Sequence, residues 1–409
     1  MTLTATAPTS RRTPALSHGV AFWTVTLAFL LNMAFSAVPT PLYVLYQGRD
    51  HFSDVMITVV YAVYAVGVIA SLFLAGHVSD WVGRRRVLVP ALLVNVAAAA
   101  VFLLAPSLPG LLVARVISGI SVGITTATAT AYLAELHVAA GGSPTGRKAQ
   151  VVATAANLGG IGVGPLAAGF LAQWVPSPLV VPYVVFGLLL IGLSIGVAAA
   201  PETAVRPDPL PQWRPQRVAV PAHARGQFYA ATAAGVASFA VYGVFNSLVP
   251  TFLAGTLHET SHAVAGAVAF SAFAAGAAAQ IWLGRLGSVR MLRVSVPLLV
   301  AGMGLFAAGM WLPSLVVFVV GGVVTGAGAG LLFRGSLVAA GLTAPAGARA
   351  EVLAGFFLGA YVGLSIPVIG LGVAATYVPA RDVMLVFVAL VAVAAGLAVG
   401  AVGRRTGRP

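Results

Sequence analysis

A handful of residues in this chain have the types and spacing to do chemistry. His258-Glu259-Thr260-Ser261-His262 spells H-E-x-x-H, in which two histidines one helical turn apart bind zinc and the glutamate activates water. Gly141, Gly146, Arg147 and Lys148 approach the spacing of a glycine loop that cradles phosphate. The stretch Gly76 to Arg86 places Asp80 beside Arg84, Arg85 and Arg86 between two apolar runs. Arg115 and Arg334 are the only charged residues away from the ends of such runs, where a charge is costly and by default functional. The chain has no cysteine, which removes disulfides, thiolate metal sites and cysteine nucleophiles.

The first two patterns lose force in context. Thr260 or Ser261 is placed to cap a helix, so His258 and His262 need not share one face, and no third ligand follows. No metal site is expected, and a membrane zinc metalloprotease remains as a remote alternative. The glycine string lacks Lys-[Ser/Thr] at the required place and no strand precedes it, so ATP-driven pumping is not expected.

The elements that must hold these residues are transmembrane. Of 409 residues, 59% are hydrophobic and only 8% charged, at a mean hydropathy of +0.99. Soluble domains carry roughly 25% charged residues. A helix needs about 20 apolar residues to cross about 30 Å of hydrocarbon. Twelve runs qualify: 20–46, 54–76, 86–105, 109–134, 149–173, 179–200, 226–253, 262–284, 292–312, 314–341, 351–376 and 381–402. The sequence therefore predicts an all-α integral membrane protein: a tail over 1–19, a six-helix bundle over 20–200, a Pro- and Arg-rich linker over 201–225, a second bundle over 226–402 and a tail over 403–409. Residues 1–18 are polar and precede a run too long for a signal-peptide core, so no cleavable signal is expected.

Charge orients the chain. With both termini in the cytoplasm, eighteen of the 22 basic residues fall inside and two, Arg49 and Arg381, outside. The net charge of +13 thus points to lipid rather than to nucleic acid. Composition rich in Ala, Val, Gly and Arg fits a GC-rich bacterial genome and hence a multi-pass protein of the bacterial cytoplasmic membrane. The halves also echo each other. Arg147 precedes Pro165 as Arg349 precedes Pro367, Gly119 and Gly123 match Gly326 and Gly330, and Gly76 matches Gly284. Such duplication is a transporter architecture, with ligand bound between the halves.

The loop Gly76-His77-Val78-Ser79-Asp80-Trp81-Val82-Gly83-Arg84-Arg85-Arg86 resembles the G-x-L-x-D-R-x-G-R-[KR]-[KR] signature of the major facilitator superfamily, departing at Val78 and Trp81. Leu111, Arg115, Ser118 and Gly119 resemble its L-x-x-x-R-x-x-Q-G pattern. Gly160, Gly164, Pro165, Ala168 and Gly169 resemble its antiporter signature G-x-x-x-G-P-x-x-G-G, with one Gly replaced by Ala. The second half keeps a degraded copy of the loop, Gly284-Arg285-Leu286-Gly287, without the acid.

The resemblance implies two pseudo-symmetric six-helix bundles and secondary active transport by alternating access. The helix-5 signature is typical of drug:proton antiporters, which implies proton-coupled, multidrug-type efflux; a proton-coupled uptake symporter is the alternative. A non-transporting receptor on the same scaffold would usually add a signalling domain, and none is seen. The expected energy source is the proton gradient, with no cofactor, and the expected state is a monomer. Gly76, Asp80, Gly83, Arg84, Arg85 and Glu135 are expected to form a gate, with Asp80 at its centre and Asp80 and Glu135 as proton carriers. Many family antiporters have an acid inside helix 1, where this chain has Asn32. Arg115 and Arg334 are expected to face a central cavity and set its charge. With two cations and no acid, that cavity should favour neutral or weakly anionic amphipathic compounds. Asn32, Tyr43, Tyr61, Tyr242, Asn246 and Tyr361 are expected to line it. Pro39 and Pro41 should break helix 1 and free carbonyls for ligands.

Overall fold

The computed structural model describes residues 16–143, 147–204, 209, 212–217, 220–345 and 348–406. Arg11, Arg12, Gly146 and Arg408 lie outside the described residues, as does most of the 1–19 tail and part of the linker. Among the described residues, twelve helices are long and apolar enough to cross a membrane. They are α1 His18–Asp50, α2 Val55–Ala75, α3 Arg84–Leu104, α4 Leu108–Ala139, α5 Arg147–Trp174, α6 Val181–Ala198, α7 Ala222–Ser247, α8 His262–Trp282, α9 Ser288–Trp311, α10 Leu315–Gly341, α11 Arg349–Ala374 and α12 Ala380–Arg404. An even number of crossings puts the start of α1, the exit of α6 and the end of α12 on one face. That face also carries most of the arginines and is called the basic face below.

Local chemistry sets where several helices begin. The side-chain oxygens of Ser17, Ser261 and Ser314 accept the N–H of Val20, Val264 and Val317, satisfying donors that would otherwise be orphaned at the starts of α1, α8 and α10. Prolines then shape the interiors. Pro39 and Pro41 stop the regular ladder of α1 after Ala37, and the chain passes through a 3-10 turn, Thr40–Leu42, before resuming at Tyr43. The run predicted over 226–253 is likewise divided: α7 ends at Ser247 and a separate helix, Val249–Thr256, starts with Pro250 in its first turn. In α5 a π turn over Ala155–Gly159 comes just ahead of Pro165. Pro90 in α3 and Pro297 in α9 occupy matching places in the two halves, as do Pro165 and Pro367.

Packing divides these helices into two bundles. In the first, α1 lies against α4, α5 and α6, α2 against α4, and α3 against α4 and α6; in the second, α7 lies against α10, α11 and α12, α8 against α10, and α9 against α10 and α12. The bundles touch along two seams, α5 on α8 and α2 on α11. Lipid gives helices no hydrophobic reason to associate, so close van der Waals contact must do it. The duplicated glycines provide that contact in equivalent places. Gly119 sits on the Tyr64 carbonyl and Gly67 of α2, and Gly326 sits on the Ala272 carbonyl of α8. Large apolar side chains such as Leu188, Ile195, Leu390 and Leu397 point outward, as a lipid-facing surface requires.

Among the described residues, side-chain hydrogen bonds joining the two bundles directly lie toward the face opposite the basic one. The Ser261 hydroxyl and the His262 N–H donate to the Gln173 side-chain oxygen. Thr40 donates to Asn246 at 3.4 Å, and Ser365 to the Ala62 carbonyl at 3.3 Å. At the basic face the linker spans the seam instead. Trp213 Nε1 donates to the Leu74 carbonyl at 3.0 Å and the Gln216 N–H to the Phe73 carbonyl at 2.9 Å, both on α2, while Arg214 reaches Glu351 on α11 at 3.3 Å.

Candidate functional site

The acid-and-arginine loop between α2 and α3 builds a compact ionic cluster at the basic face. A one-turn helix, Ser79–Val82, follows Gly76. Gly83 then takes φ 124°, in the region that favours glycine, and a Cβ there would come within 2.5 Å of Glu202 Oε2. This turn aims Arg84 into the protein, with only 10% of its side chain exposed. Its guanidinium donates to Asp80 Oδ1, to Ser79 Oγ at 2.8 Å and to Glu135 Oε1 at 2.7 Å. Glu135, near the end of α4, also accepts from the Thr203 hydroxyl. Arg84 is therefore the hub. The expectation of a latch centred on Asp80 is corrected: the Asp80 side chain is 59% exposed and touches the cluster from its rim.

Three further sets of contacts close the ring, from Glu202, Arg85 and Tyr132; of these residues only Arg85 is among those expected at the gate. Glu202 accepts the backbone N–H of Arg84 at 2.7 Å and of Arg85 at 3.2 Å, so a carboxylate sits at the positive end of α3. Arg85 in turn donates to the carbonyls of Ala198 and Ala200, at the negative end of α6. Tyr132 donates to the Pro201 carbonyl. Together these bonds tie the loop after α2, the end of α4 and the exit of α6 into one rigid corner of the first bundle. Glu202 follows Pro201 in a stretch that looked like the start of a plain linker, and nothing in its local sequence signals a cap for a helix 118 residues earlier.

Arg115 lies deep in the first bundle, 2% exposed. Its N–H groups donate to the Ser36 carbonyl on α1 at 2.6 Å and to the Val60 and Tyr61 carbonyls on α2 at 3.4 and 3.3 Å. The faces of Tyr64 and Tyr61 cover it at 4.4 and 5.6 Å. Carbonyl dipoles and ring faces thus hold the charge in place of a carboxylate. The Ser36 carbonyl lies just ahead of the proline break of α1, and Arg115 takes it.

Arg334 behaves differently, and its expected place in a central cavity is corrected. Its guanidinium donates to the Gln280 carbonyl at 3.0 Å and packs over Gly284, at the negative end of α8. It serves as a cap for that helix. Asn32 is also corrected. It is fully buried inside the first bundle, where its oxygen accepts from Asn95 at 2.9 Å and from Ser121 at 3.1 Å, away from both seams.

The remaining expected cavity residues divide. Asn246 meets Thr40 across the bundles, with the Tyr61 side chain beside it. Tyr242 is stacked on Phe273 at 4.7 Å and donates to the Gly326 carbonyl, so its hydroxyl is engaged within the second bundle. Tyr361 lies 5.2 Å from Phe239, and Tyr43 is buried. The α5 glycines serve two neighbours. Gly160 and Gly164 face α1, where a Cβ on Gly164 would overlap the Ala34 carbonyl oxygen; Pro165 and Gly169 face Gly266 and His262 of α8. The zinc pattern has no helix to work on. His258 sits at φ 53° in a loop, Glu259 accepts the Ser261 N–H, and only His262 is helical, as the first residue of α8.

The family model described as Major Facilitator Superfamily matches residues 22–303 of the chain. No curated protein sequence matches it. Among solved structures, a point mutant of the nucleoside transporter NupG superposes with a TM-score of 0.73 at 13% identity, covering 93% of this chain and 99% of the other. A bacterial homologue of the human lysosomal transporter Spinster, in an inward-facing and unoccupied conformation, gives a TM-score of 0.67 at 15% identity, with 94% and 97% covered. The human organic anion transporter MFSD10 (TETRAN) gives 0.62 at 17% identity, with 93% and 99% covered. At these identities the likeness is one of fold.

Proposed function

Since the chain belongs to the major facilitator superfamily of membrane transporters, we propose that it exports small amphipathic compounds, neutral or weakly anionic, in exchange for protons. The observation that carries this is the engagement of the α5 signature. Its glycines and proline form a smooth strip wedged between α1 and α8, on the seam where the bundles must slide. Small residues spaced a turn apart permit such contact without interlocking side chains. Arg115, a buried charge without a carboxylate partner, supports selection against cationic compounds.

The basic face is assigned to the cytoplasm of a bacterial cell on the arginine asymmetry. Direct contacts between bundles at the opposite face are what a carrier with its outer gate shut would have. Glu135, held by Arg84 and Thr203, and Asp80 are the groups assigned to proton exchange. A membrane potential contributes about 2.3 kcal/mol per charge per 100 mV and each pH unit about 1.4 kcal/mol, enough for a substrate ratio on the order of a hundredfold per proton.

The test is accumulation of a compound panel in cells with and without the gene, repeated after a protonophore collapses the gradient. Lower accumulation of neutral and weakly acidic amphiphiles, abolished by the protonophore, is expected. Gene-dependent uptake would reverse the direction, and robust efflux of a lipophilic cation would contradict the charge selection.

A further inference from the structure

A cavity of about 320 Å³ lies at the basic face, outside the latch and both seams. The start of α1, the end of α4 and the start of α5 meet there, and Gly19, Phe22, Trp23, His137, Gly142 and Lys148 are among its lining residues. Lys148 is the only lysine in the chain. Its ammonium sits 5.9 Å from the Phe22 ring and 5.7 Å from the Trp23 ring, and among the described residues no acid lines the cavity. The wall is closely fitted. Gly141 takes φ 84°, and a Cβ on Gly142 would overlap the His137 imidazole, which packs 5.9 Å from Phe22.

The cavity does not end in water alone. Val20, Trp23 and Leu27 run down one stripe of α1 at helical spacing, exposed by 53%, 56% and 48%. A ligand that fills the cavity with an anionic head would find this apolar stripe leading away toward the hydrocarbon. Free phosphate would use only the head region. A glycerophospholipid would use both, with Trp23 at the depth where indole rings settle in membranes.

We propose that this cavity binds the phosphodiester headgroup of an anionic phospholipid, with Lys148 as its charge partner and the Val20, Trp23 and Leu27 stripe holding an acyl chain. A basic pocket between helix ends at the leaflet surface is suited to that chemistry. The site is independent of the transported compound, so its test does not involve transport.

Native mass spectrometry of the purified full-length protein, titrated in detergent with phosphatidylglycerol or phosphatidylcholine, provides the test. The wild type should retain phosphatidylglycerol about fivefold better than phosphatidylcholine, the worth of about one basic residue at an anionic surface. Lys148→Gln should remove that preference while leaving phosphatidylcholine retention unchanged, and Lys148→Arg should keep it. Trp23→Ala should weaken retention of both lipids. Equal retention of the two lipids by the wild type, or an unchanged preference in Lys148→Gln, would overturn the proposal. Displacement of the lipid by excess inorganic phosphate would overturn it too, by making the cavity a free-anion site.

Discussion

The Arg84 guanidinium lies 2.7 Å from Glu135 Oε1, across 51 residues of sequence, and so fastens the start of α3 to the end of α4. This bond is largely enclosed, whereas the bond from Arg84 to Asp80 is open to solvent at the acid. The two should therefore differ in worth. Arg84→Ala leaves a partly buried carboxylate short of its partner and should cost about 2–3 kcal/mol. Asp80→Asn removes an exposed pairing and should cost less than about 1 kcal/mol. Thermal unfolding of the purified variants gives the order directly. A larger loss for Asp80→Asn than for Arg84→Ala would displace Arg84 as the hub.

Gly83 should tolerate no side chain. Its φ of 124° strains any L-residue, and the Glu202 carboxylate occupies the place of a Cβ. Gly83→Ala is expected to cost about 1–3 kcal/mol. Glu202→Gln keeps an acceptor at the α3 terminus but loses the charge, and should cost about 0.5–1 kcal/mol. Urea or thermal melts of the pair would show the reverse order if the turn were free to relax.

The α5 strip makes a prediction with an internal control. A leucine at Gly164 would drive into the α1 backbone at Ala34, while a Cβ on Gly192 of α6 would meet nothing within 4 Å. Gly164→Leu should reduce transport at least tenfold or prevent assembly, and Gly192→Leu should leave both intact. Flux in proteoliposomes, normalised to folded protein by size-exclusion chromatography, separates the two failures. Full flux from Gly164→Leu would mean that α1 and α5 need not stay this close.

Arg115 bonds three carbonyls on two helices at once, a task suited to the forked guanidinium and not to a single ammonium. Arg115→Lys should therefore behave as a loss of function, with transport down about tenfold or more, although the charge is kept. Comparable flux in Arg115→Lys and wild type would leave charge alone as its contribution.

Much of the architecture was legible because lipid imposes a simple rule: each crossing must be predominantly apolar over about 20 residues. The twelve runs could be read on that basis, the duplicated glycines from the repeat between the halves, and the loop from Gly76 to Arg86 from its resemblance to the family signature. What could not be read were partnerships made by the ends of helices. Arg334 looked like a cavity charge because its run is apolar, yet its partner is a carbonyl at the end of α8, which carries no side-chain signature. Asn32 looked accessible because family antiporters have an acid nearby, yet it points into its own bundle toward Asn95 and Ser121. Glu202 sat in a proline-rich stretch and gave no sign of capping α3. In each case hydropathy located the helix and left open which way a polar side chain turned.

The linker contacts carry a consequence for observing the protein at work. Trp213 is hydrogen-bonded to α2 while its neighbour Arg214 is paired with α11, so two adjacent residues are anchored to opposite bundles. Any rotation that parts those helix ends must release one of the two anchors and change the surroundings of the indole. Trp213 is thus a built-in fluorophore for the conformational cycle, and a chain with its other five tryptophans replaced by phenylalanine would signal each opening by a shift in emission.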